Sequence, residues 1–562
     1  MSLHARWRRA RAAAIGTVTI GLLAAGCGGS SGGSSTDPDT LIAYTGLAGE
    51  WQRNYNPYSP ESIEGRGTIF ESLFFFNTAR QDDPVGRLGT DYAWNDDGTE
   101  LTITLREDVT WSDGEAFDAE DVAFTFDLVR DTAAFNSFGF DGTTEIVDPS
   151  QVVVSFEEPA YMDAPQLLGK IWIVPEHIWS GIAEPETDIM AEPIGTGPFL
   201  LGDFKPQAFT LTSNPDYWDG EPELKNVRYV ALSGNQAGAD ALAAGEIDFQ
   251  TGPVPDIENF EENHEGYKAI TIPMNQMVLV TCANTELGCE GPQTDPAVRQ
   301  AIFHAMDRET LNSLAFQNTA SEISPGFALP ERDAAYVSAQ LENRTANMSS
   351  DAAQAEEILE AAGYVRGGDG IYAKDGVKLE LSVRVVAGWT DYITAVNTMA
   401  EQLNEVGIKL NVNQASWNET TDARNTGNFE LAIDSLYPGA SPDPYYIYYQ
   451  FFHSQSTVPV GESANPNWAR YADPAVDEAI EELARLNPED GQDARQQYYD
   501  TIQAAIERDM PYIPIMVGGT TSEFNAGKFS GWPTDVNLYA FPAVWSRPDQ
   551  AEIFRNLKPA GE

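Results

Sequence analysis

Tryptophan and tyrosine side chains set among Gly, Pro, Asn and Asp are the residues of this chain best suited to bind a ligand. A ring offers an apolar face for stacking, and its polar edge and the neighbouring amides and carboxylates supply hydrogen bonds. Such rings also pack loops onto a core, so the prediction concerns the set rather than each member. The segments are GWTDY (388–392), SWNET (416–420), YPGASPDPYYIYYQFF (437–452), NPNWARY (465–471) and GWPTDVNLYAFPAVW (531–545), and the candidates are Trp389, Asp391, Tyr392, Trp417, Tyr437, Asp443 and Trp468.

No motif in the sequence supports catalysis. The Gly-Lys pairs at 169–170 and 527–528 lack the following Ser or Thr of a phosphate loop, and His264 lacks the second His of a zinc pair. A G-x-S-x-G match at 29–33 lies in a Ser/Gly tract that cannot form a strand-to-helix elbow. With 86 acidic side chains, close carboxylate pairs arise by composition alone. We predict a protein that is not an enzyme, with no catalytic residues, no metal site and no cofactor; the alternative is an exported hydrolase of oligosaccharides or peptides.

The N-terminus has the features of a lipoprotein export signal. A basic stretch (4–11) precedes an apolar stretch that ends in LLAAGC, and GGSSGGSST follows Cys27. Roughly 15 apolar residues are too few to cross a bilayer core of about 30 Å comfortably, which disfavours a transmembrane anchor. We therefore predict a signal peptide over 1–26, lipidation of Cys27, and a flexible Ser/Gly tether over 27–37. The protein is expected outside the cell membrane, in a periplasm or at the cell surface.

The charge balance excludes one class of partner. The chain has 33 basic and 86 acidic side chains, a net charge of −53, whereas nucleic-acid binding requires a basic surface. A solvated acidic surface explains this charge more simply than attraction of cationic ligands. Its 562 residues are enough for two or three domains.

Two cysteines remain beyond the N-terminal region, Cys282 and Cys289, seven positions apart. In an oxidising exported compartment they are expected to form a disulfide, and the alternative is a pair of free buried thiols. The spacing matches no zinc pattern, and no His lies close to the pair in the sequence.

The segment DGTELTITLREDVTWSDGEAFDAEDVAFTF (97–126) specifies a strand, a turn and a helix in succession. Apolar residues alternate from Leu101 to Leu105, as in a strand with one buried face. A turn follows at 111–114. Asp118 can then cap a helix whose apolar face begins with Val122.

This segment resembles the L-T-F-x-L-R-x-x-V-x-W-S-D-G-x-x-F-x-A-x-D-V motif of family 5 extracellular solute-binding proteins, the receptors of peptide, nickel and oligosaccharide ABC importers. Four further stretches are similar to family landmarks, so the resemblance covers about residues 40 to 545. They are PIGTGPFLLGDFKPQAFTLTSNPDYW (193–218), ALAAGEIDF (241–249), DPAVRQAIFHAMDRETL (295–311) and SDAAQAEEILEAAGY (350–364).

The resemblance implies an α/β fold of the two-lobed periplasmic-binding-protein type II, with a hinge and an extra inserted subdomain. It implies a monomer that captures a small oligomeric ligand by hinge closure and presents it to ABC permease subunits in the membrane. The hinge crossings are expected near 280–285 and 511–517. The expected ranges are lobe 1 core over 38–66, 193–282 and 515–562, the inserted subdomain over 67–192, and lobe 2 over 283–514.

The class of ligand stays open between an oligopeptide and an oligosaccharide. Peptide-binding members contain the motif W-x-x-D-x-x-[DE]-P, whose first Asp holds the free ammonium of the peptide. When Asp443-Pro444 is aligned with the end of this motif without a gap, Tyr437 occupies the Trp position and Ala440 occupies the position of the first Asp. The ammonium anchor is then absent unless Asp434 or Asp443 replaces it, because a buried ammonium needs a carboxylate. GWTDY and the ending GWPTDVNLYAFP are similar to members that bind β-linked oligosaccharides. A binding module that serves a sensor instead of a permease is a further alternative.

Overall fold

The computed structural model of the chain describes residues 38–46, 50–464, 466–488 and 491–561. The predicted signal peptide, the tether and the lipidation site Cys27 lie outside the described residues. The described part of the chain contains no helix both long enough and apolar enough to cross a membrane.

The elements are numbered in chain order. The strands are β1 (Thr40–Tyr44), β2 (Phe74–Phe75), β3 (Val85–Gly86), β4 (Gly89–Trp94), β5 (Glu100–Leu105), β6 (Thr143–Asp148), β7 (Gln151–Ser155), β8 (Phe199–Lys205), β9 (Ala208–Ser213), β10 (Asn226–Val230), β11 (Phe249–Thr251), β12 (Tyr267–Thr281), β13 (Val365–Arg366), β14 (Tyr372–Lys374), β15 (Val377–Lys378), β16 (Glu380–Val386), β17 (Lys409–Ala415), β18 (Leu431–Leu436), β19 (Tyr512–Asn525), β20 (Phe529–Ser530) and β21 (Lys558–Pro559). The helices are α1 (Arg66–Ile69), α2 (Ala119–Asp131), α3 (Ala164–Gly169), α4 (Glu176–Trp179), α5 (Asn235–Ala243), α6 (Phe260–Asn263), α7 (Pro296–Ala305), α8 (Arg308–Ala315), α9 (Ala352–Ala361), α10 (Thr390–Glu405), α11 (Trp417–Thr426), α12 (Tyr445–Phe452), α13 (Pro474–Arg485), α14 (Gln492–Asp509) and α15 (Arg547–Asn556).

A ten-stranded mixed sheet organises the described chain, in the order β17-β16-β18-β12-β19-β11-β1-β10-β9-β8. Strands β12 and β19 are the longest in the sheet and pair antiparallel along their whole length. We call these two strands the ribbon. At one end of the ribbon β12 pairs with β18, and at the other end β19 pairs with β11. The ribbon therefore joins two halves of the sheet, as expected for a two-lobed α/β fold.

The ribbon is irregular near its middle. Its register shifts between Pro273 and Asn275 and again between Met277 and Val278, and the pairing then continues to Val280. The irregular stretch of β12 thus precedes the crossing that the resemblance implied at 280–285. Register shifts of this kind bend a strand and increase its twist. The position of the first crossing and the lobe boundaries stay predictions.

The strand, turn and helix predicted over 97–126 are confirmed. In β5 the residues alternate between buried and partly exposed, and β5 pairs with β4 and β7 in a separate four-stranded sheet. The side chain of Asp118 accepts from the backbone N–H of Glu120 at 2.8 Å, and Asp121 completes a capping box at the start of α2. A cap of this kind contributes about 1 kcal/mol of helix stability.

Three other predicted helices begin where the sequence places their caps. Asp295, Asp351 and Asp473 each accept a backbone N–H of the first turn of α7, α9 and α13. In α7 and α13 a proline occupies the first helical position, where its missing N–H leaves no bond unmade. Their apolar faces belong to the main hydrophobic core, where α9 packs on α7 and α13 packs on α14.

A buried ionic network connects the segment before β4 to the C-terminal helix. Arg87 pairs with Glu552 of α15, and its Nη1 also lies 3.8 Å from Oε1 of Glu71. The hydroxyl of Tyr217 and the indole N–H of Trp218 donate to Glu71 at 2.8 and 3.0 Å. Burial raises the pKa of Glu71, while Arg87 and these donors act against the rise. The network is fully desolvated, so each charge depends on its partners.

Cys282 and Cys289 are joined by a disulfide, with their Cα atoms 5.5 Å apart. Cys282 directly follows β12, and its backbone N–H donates to the carbonyl of Glu430 at 3.2 Å. The disulfide therefore closes a short loop at the end of the ribbon.

Candidate functional site

One cavity lies against the middle of the ribbon, between the two halves of the sheet. Asn275 and Met277 of β12 and the Gly518-Gly519 pair of β19 line it from the ribbon, and the loop after β11 closes one side. From the other half come Phe316, which follows α8, and the first turn of α10 with Asp391 and Tyr392. We call it the ribbon cavity. Its volume of about 180 Å³ is below the roughly 300–1,000 Å³ typical of small-ligand sites.

Asp391 and Tyr392 are the two predicted site residues that line this cavity. The amide of Asn235, at the start of α5, donates to Oδ1 of Asp391 at 3.4 Å, so this contact bridges the two halves. Burial raises the pKa of Asp391, because a desolvated carboxylate favours its protonated form. Tyr392 and Ser435 share a hydrogen bond of 2.6 Å between their hydroxyl oxygens.

Trp389 and Trp417 extend the site from Tyr392 towards solvent. The ring centroids of Trp389 and Tyr392 are 5.6 Å apart, and those of Trp389 and Trp417 are 5.3 Å apart. Trp417 is 41 % exposed, at the first position of α11, whose cap is Ser416. These three rings, which we call the aromatic ladder, form a continuous surface on which flat apolar faces can stack.

The rest of the lining is largely neutral. Among the described residues of the ribbon cavity, Asp391 is the only charged one, and Asn275, Gln317, Thr319, Thr520 and Thr521 supply amides and hydroxyls. The amide of Asn275 donates to the hydroxyl of Thr520 at 2.9 Å. Our sequence analysis missed these residues.

One feature of the sequence could have indicated these residues, namely the Gly518-Gly519 pair inside the long strand β19. Glycine in a strand interior often marks a site where another backbone comes close. A Cβ at Gly519 would lie 2.2 Å from the carbonyl oxygen of Thr319, so only glycine fits there.

The structure does not bring Trp468 to the ribbon cavity. Trp468 is 6 % exposed and lies in the core, with the guanidinium of Arg424 at 3.7 Å from its ring centroid and Phe451 on another side. Trp468 therefore does not line the ribbon cavity, and its role as a ligand contact stays a prediction. Tyr437 is 41 % exposed and packs on Phe451, close to the cleft but outside the ribbon cavity.

Neither carboxylate that might replace the missing ammonium anchor is free. Asp434 pairs with Arg424. Asp443 accepts from Nη1 of Arg495 at 2.8 Å and from the hydroxyl of Tyr499 at 2.7 Å. Asp443 also lies away from the ribbon cavity, on a different cavity. The role of Asp443 as a ligand contact stays a prediction, and Ala440 is buried.

No group of three or more His, Cys, Asp or Glu side chains is arranged to hold a metal ion in the described parts of the chain. The four histidines there are separate from one another. His177 pairs with Asp113 at 2.8 Å, and burial lowers the pKa of both His304 and His453.

Solved structures share this fold. A mannohexaose-bound periplasmic oligopeptide-binding protein of an ABC transporter from Thermotoga maritima superposes with a TM-score of 0.84 at 22 % identity, covering 94 % of this chain and 100 % of that one. The oligopeptide-binding protein AppA of Bacillus subtilis, in complex with a nonapeptide, gives a TM-score of 0.76 at 20 % identity, covering 93 % and 99 %. The two-lobed α/β architecture is thereby established.

Sequence comparison places the chain in a family. The model of bacterial extracellular solute-binding proteins, family 5, matches residues 83–458, and this protein belongs to that family. Protein XP55 of Streptomyces lividans is 29 % identical over 486 residues, 85 % of this chain and 82 % of that protein. The AppA sequence is 24 % identical over 470 residues, 80 % of this chain and 82 % of AppA. The family consists of ABC-transporter binding proteins rather than enzymes, in agreement with the prediction from the sequence.

Proposed function

We propose that this protein is the substrate-binding lipoprotein of an ABC importer and captures a short neutral oligosaccharide between its lobes for delivery to the permease. The observation that carries the ligand class is the pairing of Asp434 and Asp443 with buried arginines, which leaves neither for a peptide ammonium. Hydroxyls, amides and the aromatic ladder suit a ligand that combines hydroxyl groups with flat apolar faces.

Capture requires motion of the lobes. The ribbon cavity, at about 180 Å³, is too small for an oligomer, so the two halves must separate to admit one. Contacts made only in the closed state, such as that of Asn235 with Asp391, can then shift the equilibrium towards closure. No covalent step is needed.

An oligopeptide remains the second candidate because of Asp391. This carboxylate lines the ribbon cavity, and its side chain accepts a hydrogen bond from an amide rather than from a cation. A ligand ammonium would find there the opposite charge that Asp434 and Asp443 cannot offer.

A thermal-shift panel tests the two candidates directly, because a ligand that binds only the folded state raises the unfolding midpoint. We expect cello- or xylo-oligosaccharides to raise it and di- to pentapeptides to leave it unchanged. A rise with peptides alone would refute the sugar proposal. A sugar that binds and is then hydrolysed, detected by chromatography of the mixture, would support the alternative of an exported hydrolase.

Replacing Trp417 by Ala should weaken sugar binding by roughly tenfold, because an aromatic stacking contact contributes about 0.5–1.5 kcal/mol beyond burial of its area. Since Trp417 is 41 % exposed, we expect the free energy of unfolding to change by no more than about 0.5 kcal/mol. Calorimetric titration checks the affinity. An unchanged affinity would remove Trp417 from the site.

Replacing Asp391 by Asn separates the two ligand classes. We expect sugar affinity to change less than about tenfold, since an amide also bonds hydroxyls, whereas an ammonium ligand would lose about a hundredfold or more. The variant also has a pH signature. Because the folded-state pKa of Asp391 is raised, its stabilising contribution is full below the unfolded-state pKa of about 3.9 and is lost as the pH rises through the folded value.

The unfolding midpoint of the Asp391→Asn variant should therefore rise relative to that of the parent protein as the pH rises. In acid the two midpoints should converge. The exposed Asp97→Asn substitution is the matched control and should show no such pH dependence. A difference that grows towards acid would contradict the assignment.

A further inference from the structure

A second cavity lies between two parts of the chain. One part contains β4 and the residues on either side of it, and the other contains α12 and α14. Its volume is about 430 Å³, within the roughly 300–1,000 Å³ of small-ligand sites. None of its lining residues lines the ribbon cavity. We call it the second cavity.

The walls of the second cavity are aromatic. Trp94 of β4 and Tyr161 lie on one side with ring centroids 5.5 Å apart, and Tyr336 and Tyr446 lie on the opposite side. The hydroxyl of Tyr446 donates to the carbonyl of Met162 at 3.0 Å, so the two sides are held together around the cavity. Trp94 is only partly buried, which leaves ring surface for a ligand.

An ion pair forms the polar part of the same lining. Arg495 is 2 % exposed, and its Nη1 donates to Oδ2 of Asp443 at 2.8 Å. Its Nε has no hydrogen-bond acceptor among the described residues. A buried N–H without an acceptor is costly, so a ligand oxygen that reaches it after a small shift of the Arg495 side chain would gain a strong, charge-assisted bond.

The charges disfavour ionic ligands. Asp443 already neutralises Arg495, and the exposed carboxylates of Asp82 and Asp83 also line the cavity, which disfavours an anion. A cation would find the oxygens of Asp443 occupied, by Arg495 and by Tyr499 and the backbone of Tyr445. A neutral ligand with an apolar face and hydroxyl oxygens meets both the aromatic walls and the free N–H.

From this arrangement we infer that the second cavity is a separate binding site for a neutral pyranoside, with Trp94 as stacking platform and Arg495 as hydroxyl-binding donor. The inference rests on the proposed function only in the choice of sugar as probe, since the two cavities share no residue. A sugar bound here would be held between the inserted segment and the α12–α14 region, apart from the sugar at the aromatic ladder.

The test uses the protein labelled with 5-fluorotryptophan and titrated with cellobiose, observed by fluorine NMR. The Trp94 and Trp417 resonances are assigned by their loss in Trp94→Phe and Trp417→Phe variants. We expect the Trp94 resonance to shift saturably, and to do so also in Trp417→Ala. In Trp94→Leu, which lacks this reporter, calorimetric titration should show the second binding event weakened by at least about tenfold, while the Trp417 resonance responds as before.

Each outcome decides one of the two proposals. If the Trp417 resonance responds and the Trp94 resonance stays fixed up to the solubility of cellobiose, the second site is refuted and the proposed function stands. A response of Trp94 alone supports the second site and counts against the sugar proposal for the ladder. If neither responds, both are overturned.

Discussion

Replacing Arg87 by Met is expected to destabilise the protein by about 3–5 kcal/mol, the cost of removing one partner from a buried ionic network. Glu71 would remain desolvated without a cation, and Glu552 would keep only Arg555, whose Nε lies 3.2 Å from its Oε2. Because this network connects the region before β4 to α15, the loss falls on the contact between these two parts of the chain. Denaturant unfolding of the parent protein and the variant measures it.

The same substitution has a pH signature. Without Arg87 the folded-state pKa of Glu71 should rise further, since burial already raises this pKa and its largest opposing cause is removed. Protonation removes the charge of a buried unpaired carboxylate. The loss of stability caused by Arg87→Met should therefore become smaller in acid and larger as the pH rises. If the loss of stability did not depend on pH, it would arise from lost packing of the Arg87 side chain and not from its lost charge.

Two variants complete the design. Combining Arg87→Met with Glu71→Gln and Glu552→Gln should recover much of the lost stability, because no charge is then left unpaired. The matched control is Arg130→Met: Arg130 is partly exposed and pairs with Asp127 and Asp131 on the surface. Its loss should cost no more than about 1 kcal/mol.

Local chemistry explains which parts of the fold the sequence could predict. The period of two in β5, the Asp118 cap of α2 and the Asp-Pro starts of α7 and α13 all depend on residues within one or two turns of one another. These features need no knowledge of distant contacts. The two-lobed architecture came from the resemblance, and the hinge crossings that it implied near 280–285 and 511–517 stay predictions.

The site was harder to predict because its contacts join distant residues. Asp391 and Tyr392 could be selected from GWTDY, but nothing in NPNWARY indicates that Trp468 lies under the guanidinium of Arg424, 44 positions earlier. Trp94 lies in a strand of ordinary alternation, and only the fold places it opposite Tyr336 and Tyr446. Aromatic composition therefore predicts that a binding surface exists, while the pairing of each ring decides which ones are free.

Asp443 shows the same limit for charge. Its position before Pro444 matched a carboxylate of peptide-binding relatives, yet its partner Arg495 lies on α14, 52 positions away. Burial acts to lower the pKa of Arg495, and the Asp443 carboxylate raises it overall, so the pair is mutually dependent. If Asp443 serves the packing, its removal should lower the stability of the protein. If it holds a ligand ammonium, its removal should lower peptide affinity and leave the stability unchanged.

Replacing Asp443 by Ala should therefore destabilise the protein by about 3–5 kcal/mol, because Arg495, Tyr499 and the N–H of Tyr445 all lose their acceptor. The exposed Asp369→Ala substitution, which removes a surface pair with Lys378, should leave the unfolding midpoint almost unchanged. In the Asp443→Ala, Arg495→Leu double variant the loss should be smaller than the sum of the single losses, since neither charge is left alone. If instead the variant keeps its stability and loses affinity for peptides, Asp443 is the ammonium anchor and the ligand is a peptide.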